Sequence, residues 1–201
     1  MRIREISTIN KKKSKVLTEE GFAFSLYQSE LLAYGIAEDA ELEEERYLEC
    51  IRPLLLRRAK ERLLYLLKER ERTEWELRNK LKEGVYPEDI AEEAIEWAKA
   101  HRYADDRRYV QFYIEINKEK RSRMDILIRL LKKGIDKELA EEELEKEAIP
   151  EEDLIRKELR KKSYTGKAKS MKEKQSLYRY LSGKGFSFEA IRNVMGEEEE
   201  F

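Results

Sequence analysis

Between Arg72 and Gly84 the chain sets Leu77 and Leu81 one helical turn apart, with Trp75 beside them, on an otherwise polar background. That spacing predicts a short amphipathic helix with one buried stripe. Both of its ends are marked: Thr73 and Glu76 have the spacing of a capping box, and Gly84 is placed to supply the left-handed residue that closes a helix. So short a helix needs partners to be stable. The pattern returns twice at a period of about fifty, as Leu127 and Leu131 closed by Gly134, and as Leu177 and Leu181 closed by Gly185.

An apolar helix precedes each copy. It carries Leu63, Leu64, Leu66 and Leu67 in the first, Tyr109, Val110, Phe112, Tyr113 and Ile116 in the second, and Leu154, Ile155 and Leu159 in the third. A further amphipathic helix follows each glycine, with Ile90, Ala94 and Ile95, then Leu139 and Leu144, then Ile191 and Val194. Each copy therefore reads as three helices, at about 54–70, 73–83 and 87–101 in the first, with Pro87 and Pro150 opening helices and Ser122, Asp136 and Ser187 capping them. The predicted fold is mainly α, a tandem array of three three-helix repeats forming an elongated curved molecule. The repeats span 53–103, 104–149 and 150–201, the last with an acidic tail from Glu197 to Glu200.

Residues 1–52 form a small N-terminal element of different character. Residues 1 to about 14 show no usable period, whereas 15–26 alternate through Phe22, Phe24 and Leu26 around a turn at Glu20-Gly21, the signature of a β-hairpin. A lone hairpin is marginal, so it should pack on the helices or recruit a strand from residues 3–9. Ser29 is placed to cap a helix ending at Gly35, and a leading helix from about Glu41 reaches Pro53, which kinks it or begins the next.

Composition narrows the function by what it lacks. The single cysteine, Cys50, excludes an internal disulfide framework and reads as a buried small apolar residue; with no apolar leader or membrane-length run, the expectation is a soluble, cytoplasmic protein. The single histidine, His101, stands at a helix end without a nucleophile beside it, Asp105-Asp106 reads as a helix cap, and no glycine-rich phosphate loop occurs. The reading is a non-enzyme with no cofactor, no metal and no membrane contact, and a monomer.

Formal net charge is −1, yet charge is sorted by helix. Residues 118–133 hold seven basic side chains against two acidic ones, and 160–174 hold seven against one, while the closing helices of the first two repeats are acidic. If the repeats stack in register, one basic face results, able to attract polyanions. The alternative is a set of solvated faces linked by i,i+4 pairs. Candidate partner or DNA contacts on the basic face are Arg107, Arg108, Lys118, Lys120, Arg121, Arg123, Lys132, Lys133, Lys161, Lys162, Lys167 and Lys169. Tyr109, Phe112, Tyr113, Tyr178 and Tyr180 could stack on bases, but their helical spacing favours core packing.

Three runs carry a family resemblance: Leu67-x-x-Arg70-x-Arg72-Thr73-Glu74-x-Glu76-Leu77-x-x-Lys80-Leu81, then Tyr103-Ala104-Asp105-Asp106-Arg107-Arg108-Tyr109, then Leu127-x-x-x-Leu131-x-Lys133-Gly134-Ile135. Over about residues 57–195 the chain resembles RecX, the bacterial regulator of the RecA recombinase; where that family usually has Gly-Tyr before the aspartate, this chain has Arg102-Tyr103. The resemblance implies a non-catalytic protein that binds the RecA filament on single-stranded DNA, with weak DNA contact, inhibits ATP hydrolysis and strand exchange, and promotes disassembly, in DNA recombination and repair. A second reading, from the residues alone, is a direct DNA-binding protein built from tandem helix-turn-helix units, and a third is a helical adaptor for another partner.

Overall fold

The computed structural model describes residues 1–164 and 170–196, so the predicted contacts Lys167 and Lys169, part of the loop at 163–166 and the acidic tail lie outside the described residues. The chain divides into two compact units, Met1–Asp105 and Asp106–Phe201.

The first unit joins a sheet to a helical repeat through one core. Strands β1 (Ile3–Thr8), β2 (Lys13–Thr18) and β3 (Ala23–Tyr27) form an antiparallel sheet in that order, turning at Gly21 with φ 83°. The stretch without a usable period is thus a strand and a hairpin tip, missed because β1 buries little beyond Ile3. Its ladder is fixed instead by pairing with β2, from Ile6↔Val16 to Thr8↔Ser14. Helix α1 (Gln28–Ala33) starts one residue before the predicted Ser29 cap: the Glu30 carboxylate accepts the Tyr27 N–H at 2.9 Å and also takes the Arg58 guanidinium, which pins α1 to the long helix that follows.

The leading helix runs as α2 (Glu44–Arg46), a π-helical turn Tyr47–Ile51, and α3 (Arg52–Glu69). The wide turn falls just before Pro53, whose ring and missing N–H disturb regular bonding there, so the chain runs on as one interrupted helix. Cys50 on that turn is exposed, contrary to its expected burial, because the π turn directs Tyr47 and Ile51 inward instead. Helices α3, α4 (Glu74–Glu83) and α5 (Glu88–Ala100) complete the repeat. Leu55, Ala59, Leu63, Leu77, Leu81, Ile90 and Ile95 bury with Val16, Phe24 and Leu26 of the sheet. Thr73 and Glu76 form the expected capping box, at 3.1 and 3.2 Å. Trp75 is not in the stripe: two positions from Leu77, it points away and is 46% exposed.

The second unit holds two repeats, each with its own core. Helices α6 (Asp106–Asn117), α7 (Arg123–Leu131) and α8 (Lys137–Glu145) enclose Tyr109, Val110, Ile114, Ile126, Leu130 and Leu144. Helices α9 (Glu151–Lys161), α10 (Met171–Gly183) and α11 (Phe188–Gly196) enclose Leu154, Ile155, Leu159, Leu177, Leu181, Ile191 and Val194. Phe112 and Ile116, expected in the apolar face of α6, are exposed; Ile114 takes the inward position.

The repeat register also differs from the expected one. The buried pair of α7 is Ile126 and Leu130, while Leu131 is 38% exposed, so the equivalent positions are Leu77, Ile126 and Leu177, spaced by 49 and then 51 residues. Backbone bonding confirms this: Tyr86, Ile135 and Phe186 donate to the carbonyls of Leu81, Leu130 and Leu181 at 3.2, 3.2 and 3.3 Å, closing each middle helix in the same way. The left-handed residue of the turn is then Val85, Gly134 or Gly185, with φ 56°, 74° and 82°. Gly84, expected to fill that role, has φ −79°. Leu127 and Leu131 mimic the stripe because α7 is apolar on three sides.

Candidate partner-binding groove

Within the second unit, the start of α7 meets the turn between α10 and α11. Ser122 caps α7 through the Asp125 N–H at 3.2 Å, and its own hydroxyl donates to the Lys184 carbonyl at 2.8 Å. Glu151, at the start of α9, accepts from the Arg123 N–H at 2.9 Å and the Ser187 hydroxyl at 3.1 Å. Ser122 is buried, so its own two bonds form in a dry setting where they help hold the two repeats in one geometry.

Beside this joint lies an open groove of about 650 Å³ with α7 on one wall and α9 and the α10–α11 turn on the other. Among the described residues its cations are Lys120, Arg121, Arg129, Lys157, Lys161 and Lys184, set against Glu119, Asp125 and Glu158, a surplus of three positive charges. Asp125 is shared by Arg121 and Arg129 at 2.8 and 2.9 Å, and Glu158 by Lys161 and Lys184 at 2.6 and 2.8 Å. Lys120 and Lys157 make no ion pair among the described residues. Burial opposes ionisation of Glu158, but donors from Lys161, Lys184 and Tyr180 bring its carboxyl down to about 2. Asp125 is likewise lowered: desolvation works against its charge and the two arginines overcome it. Both carboxylates therefore stay charged and fix the cations as walls. On the α7 wall Met124 and Ile128 are 49% and 43% exposed, an apolar strip beside the cations.

Of the basic residues expected at a contact surface, the groove gathers Lys120, Arg121 and Lys161. Others serve the fold. Arg107 is held by Glu142 at 2.8 and 3.0 Å and by the buried Glu143, and Lys118 reaches Glu147 at 3.1 Å. The Arg123 guanidinium donates to the carbonyls of Leu144 and Glu147 at 2.5 and 3.0 Å, satisfying the end of α8. Lys133 and Lys162 lie over the rings of Tyr109 and Tyr180 at 5.6 and 4.6 Å, while Arg108 and Lys132 are exposed outside the groove. For much of the sorted charge, then, pairing between neighbouring helices is the observed use. Lys157 and Lys184 were passed over because they sit outside the dense basic runs; the step of four from Lys157 to Lys161 on α9 was the available signal. Among the described residues, no group of three or more His, Cys, Asp or Glu side chains is placed to hold a metal, and no helix is long and apolar enough to cross a membrane.

Residues 59–97 match the model of the first three-helix domain of RecX, and 150–195 that of the third. The regulatory protein RecX of Caldanaerobacter subterraneus subsp. tengcongensis is 31% identical over 184 residues, covering 91% of this chain and 92% of that protein. This chain belongs to the RecX family. The regulatory protein RecX of Clostridium acetobutylicum is 29% identical over 203 residues, covering 97% and 95% of the two chains. A crystal structure of regulatory protein RecX superposes with a TM-score of 0.66 at 23% identity over 98% of both chains, and RecX from Lactobacillus salivarius with 0.63 at 22% over 73% of this chain and 98% of its own. These two share the fold, a RecX arrangement of three-helix domains.

Proposed function

We propose that this chain regulates the RecA recombinase by binding the RecA filament on single-stranded DNA, lowering ATP hydrolysis and strand exchange and favouring disassembly, with weak DNA contact of its own. The chain acts without catalysis, as a cytoplasmic monomer in recombination and repair. The observation that carries this reading is an open basic groove with an apolar strip on α7 in a member of a family named for regulation. Lys120, Arg121 and Lys161 are the predicted contacts that belong to it; Arg107, Lys118 and Arg123 support the repeats instead.

Direct reading of duplex DNA by tandem helix-turn-helix units is the second hypothesis. It calls for a middle helix with a polar outer face reaching base edges. Helix α7 turns Met124, Ile128 and Leu131 outward, which favours a protein partner. Co-sedimentation with RecA assembled on single-stranded DNA, compared with RecA alone and DNA alone, separates the two. Retention only with the assembled filament is expected. Equal retention on bare DNA, with a steep salt dependence, would replace the filament reading with the DNA-binding one.

A further inference from the structure

The groove has a composition that a nucleic-acid strand does not explain. Sequence-independent binding of single-stranded DNA combines cations with exposed aromatic rings on which bases stack. Here, among the described residues, the only aromatic lining residue is Phe186, which is 7% exposed and belongs to the core of the third repeat. The exposed apolar lining is aliphatic: Met124 and Ile128 are four residues apart on α7 and share one face. Lys120 and Lys157 stand on opposite walls without an ion pair among the described residues. An apolar strip within a cation-lined groove matches a segment that has an apolar side and carboxylates flanking it. The walls are also set in advance: Ser122 is bonded to the Lys184 carbonyl, and a Cβ on Gly185 would come within 2.8 Å of the Ser122 hydroxyl, so the joint is closely packed before any partner arrives.

We propose that this groove takes an acidic amphipathic segment of RecA, with its apolar side chains on Met124 and Ile128 and its carboxylates on Lys120 and Lys157. The proposal rests on the filament reading above and assigns that contact to protein, with the DNA held elsewhere. The test uses the full chain as wild type, as Met124→Ser with Ile128→Ser, and as Lys120→Glu with Lys157→Glu. Each is titrated against fluorescent RecA–single-stranded DNA filament and against the same DNA alone, with matched circular dichroism as the folding control. Both variants are expected to lose about tenfold or more in filament affinity, with the apolar variant unchanged on bare DNA. A photoreactive benzoylphenylalanine in place of Ile128 should crosslink to RecA protein. An apolar variant that binds filament like wild type, or a crosslink to DNA or to nothing, overturns the proposal while leaving the filament reading intact. A wild-type chain that ignores the filament overturns both.

Discussion

The closing turn of the first repeat and that of the third are built alike and held by different neighbours. In the first, the carbonyl of Gly84 accepts the Ser25 hydroxyl at 2.9 Å and the Lys13 ammonium at 3.3 Å, both from the sheet. At the equivalent position of the third, the carbonyl of Lys184 accepts the hydroxyl of Ser122 from the repeat before it. The sheet thus does for the first repeat what a preceding repeat does for the third: it latches the closing turn of a three-helix unit. A carbonyl latched by a buried serine is the shared device, and the partner's secondary structure is free to change.

The two turns also differ in strain. The third uses Gly185 at φ 82°, whereas the first puts Val85, a β-branched residue, at φ 56°. The largest test of the comparison is Gly185→Val. It places a side chain in the left-handed region and drives it into Ser122 and Met124, so thermal unfolding followed by circular dichroism should show a loss of roughly 3 kcal/mol. A near-neutral result would mean that the joint is not closely packed.

Acid should weaken the third turn next, because Lys184 is tied to Glu158 and the first turn has no such carboxylate among its latches. The Glu158 pKa is depressed from 4.5 to about 2, so its contribution is present above pH 4.5 and is lost as pH falls through that interval. Glu158→Gln should flatten the acid limb of stability between those limits; an unchanged limb would remove the ion pair from the account.

Smaller still are the latches. Ser122→Ala removes both a helix cap and the bond to Lys184, and Ser25→Ala removes only the bond to Gly84, so losses of roughly 2 and 1 kcal/mol are expected, in that order. Fluorescence of Trp75 and Trp97, the chain's two tryptophans, reports the second of these, since both lie in the first unit. An effect of the same size as that of Ser25→Ala has the opposite sign. Val85→Gly should stabilise by about 1 kcal/mol by relieving the left-handed backbone, and a loss instead would show that the valine side chain contributes more packing than its strain costs.

The period, the three helices per repeat and the capping residues were legible because each is local: Thr73, Ser122, Asp136 and Ser187 bond backbone groups three residues away. The register of the second repeat was not, since a run as apolar as Ile126-Leu127-Ile128 offers two stripes and only neighbouring helices choose between them. Strand β1 was legible only as a possible addition to the hairpin, because pairing rather than burial defines it. The groove was half legible. Its basic residues stand in charge runs, but whether a lysine faces a partner or an internal carboxylate depends on helices brought together from distant parts of the chain, as Lys118 with Glu147 illustrates.

A regulatory role is proposed above for the groove of the second unit. Its most direct test is the rate of ATP hydrolysis by RecA on single-stranded DNA, measured with increasing wild-type chain and with the Lys120→Glu, Lys157→Glu variant of equal helicity. The wild type is expected to lower the rate and the variant to leave it near that of RecA alone; equal inhibition by both would contradict the assignment.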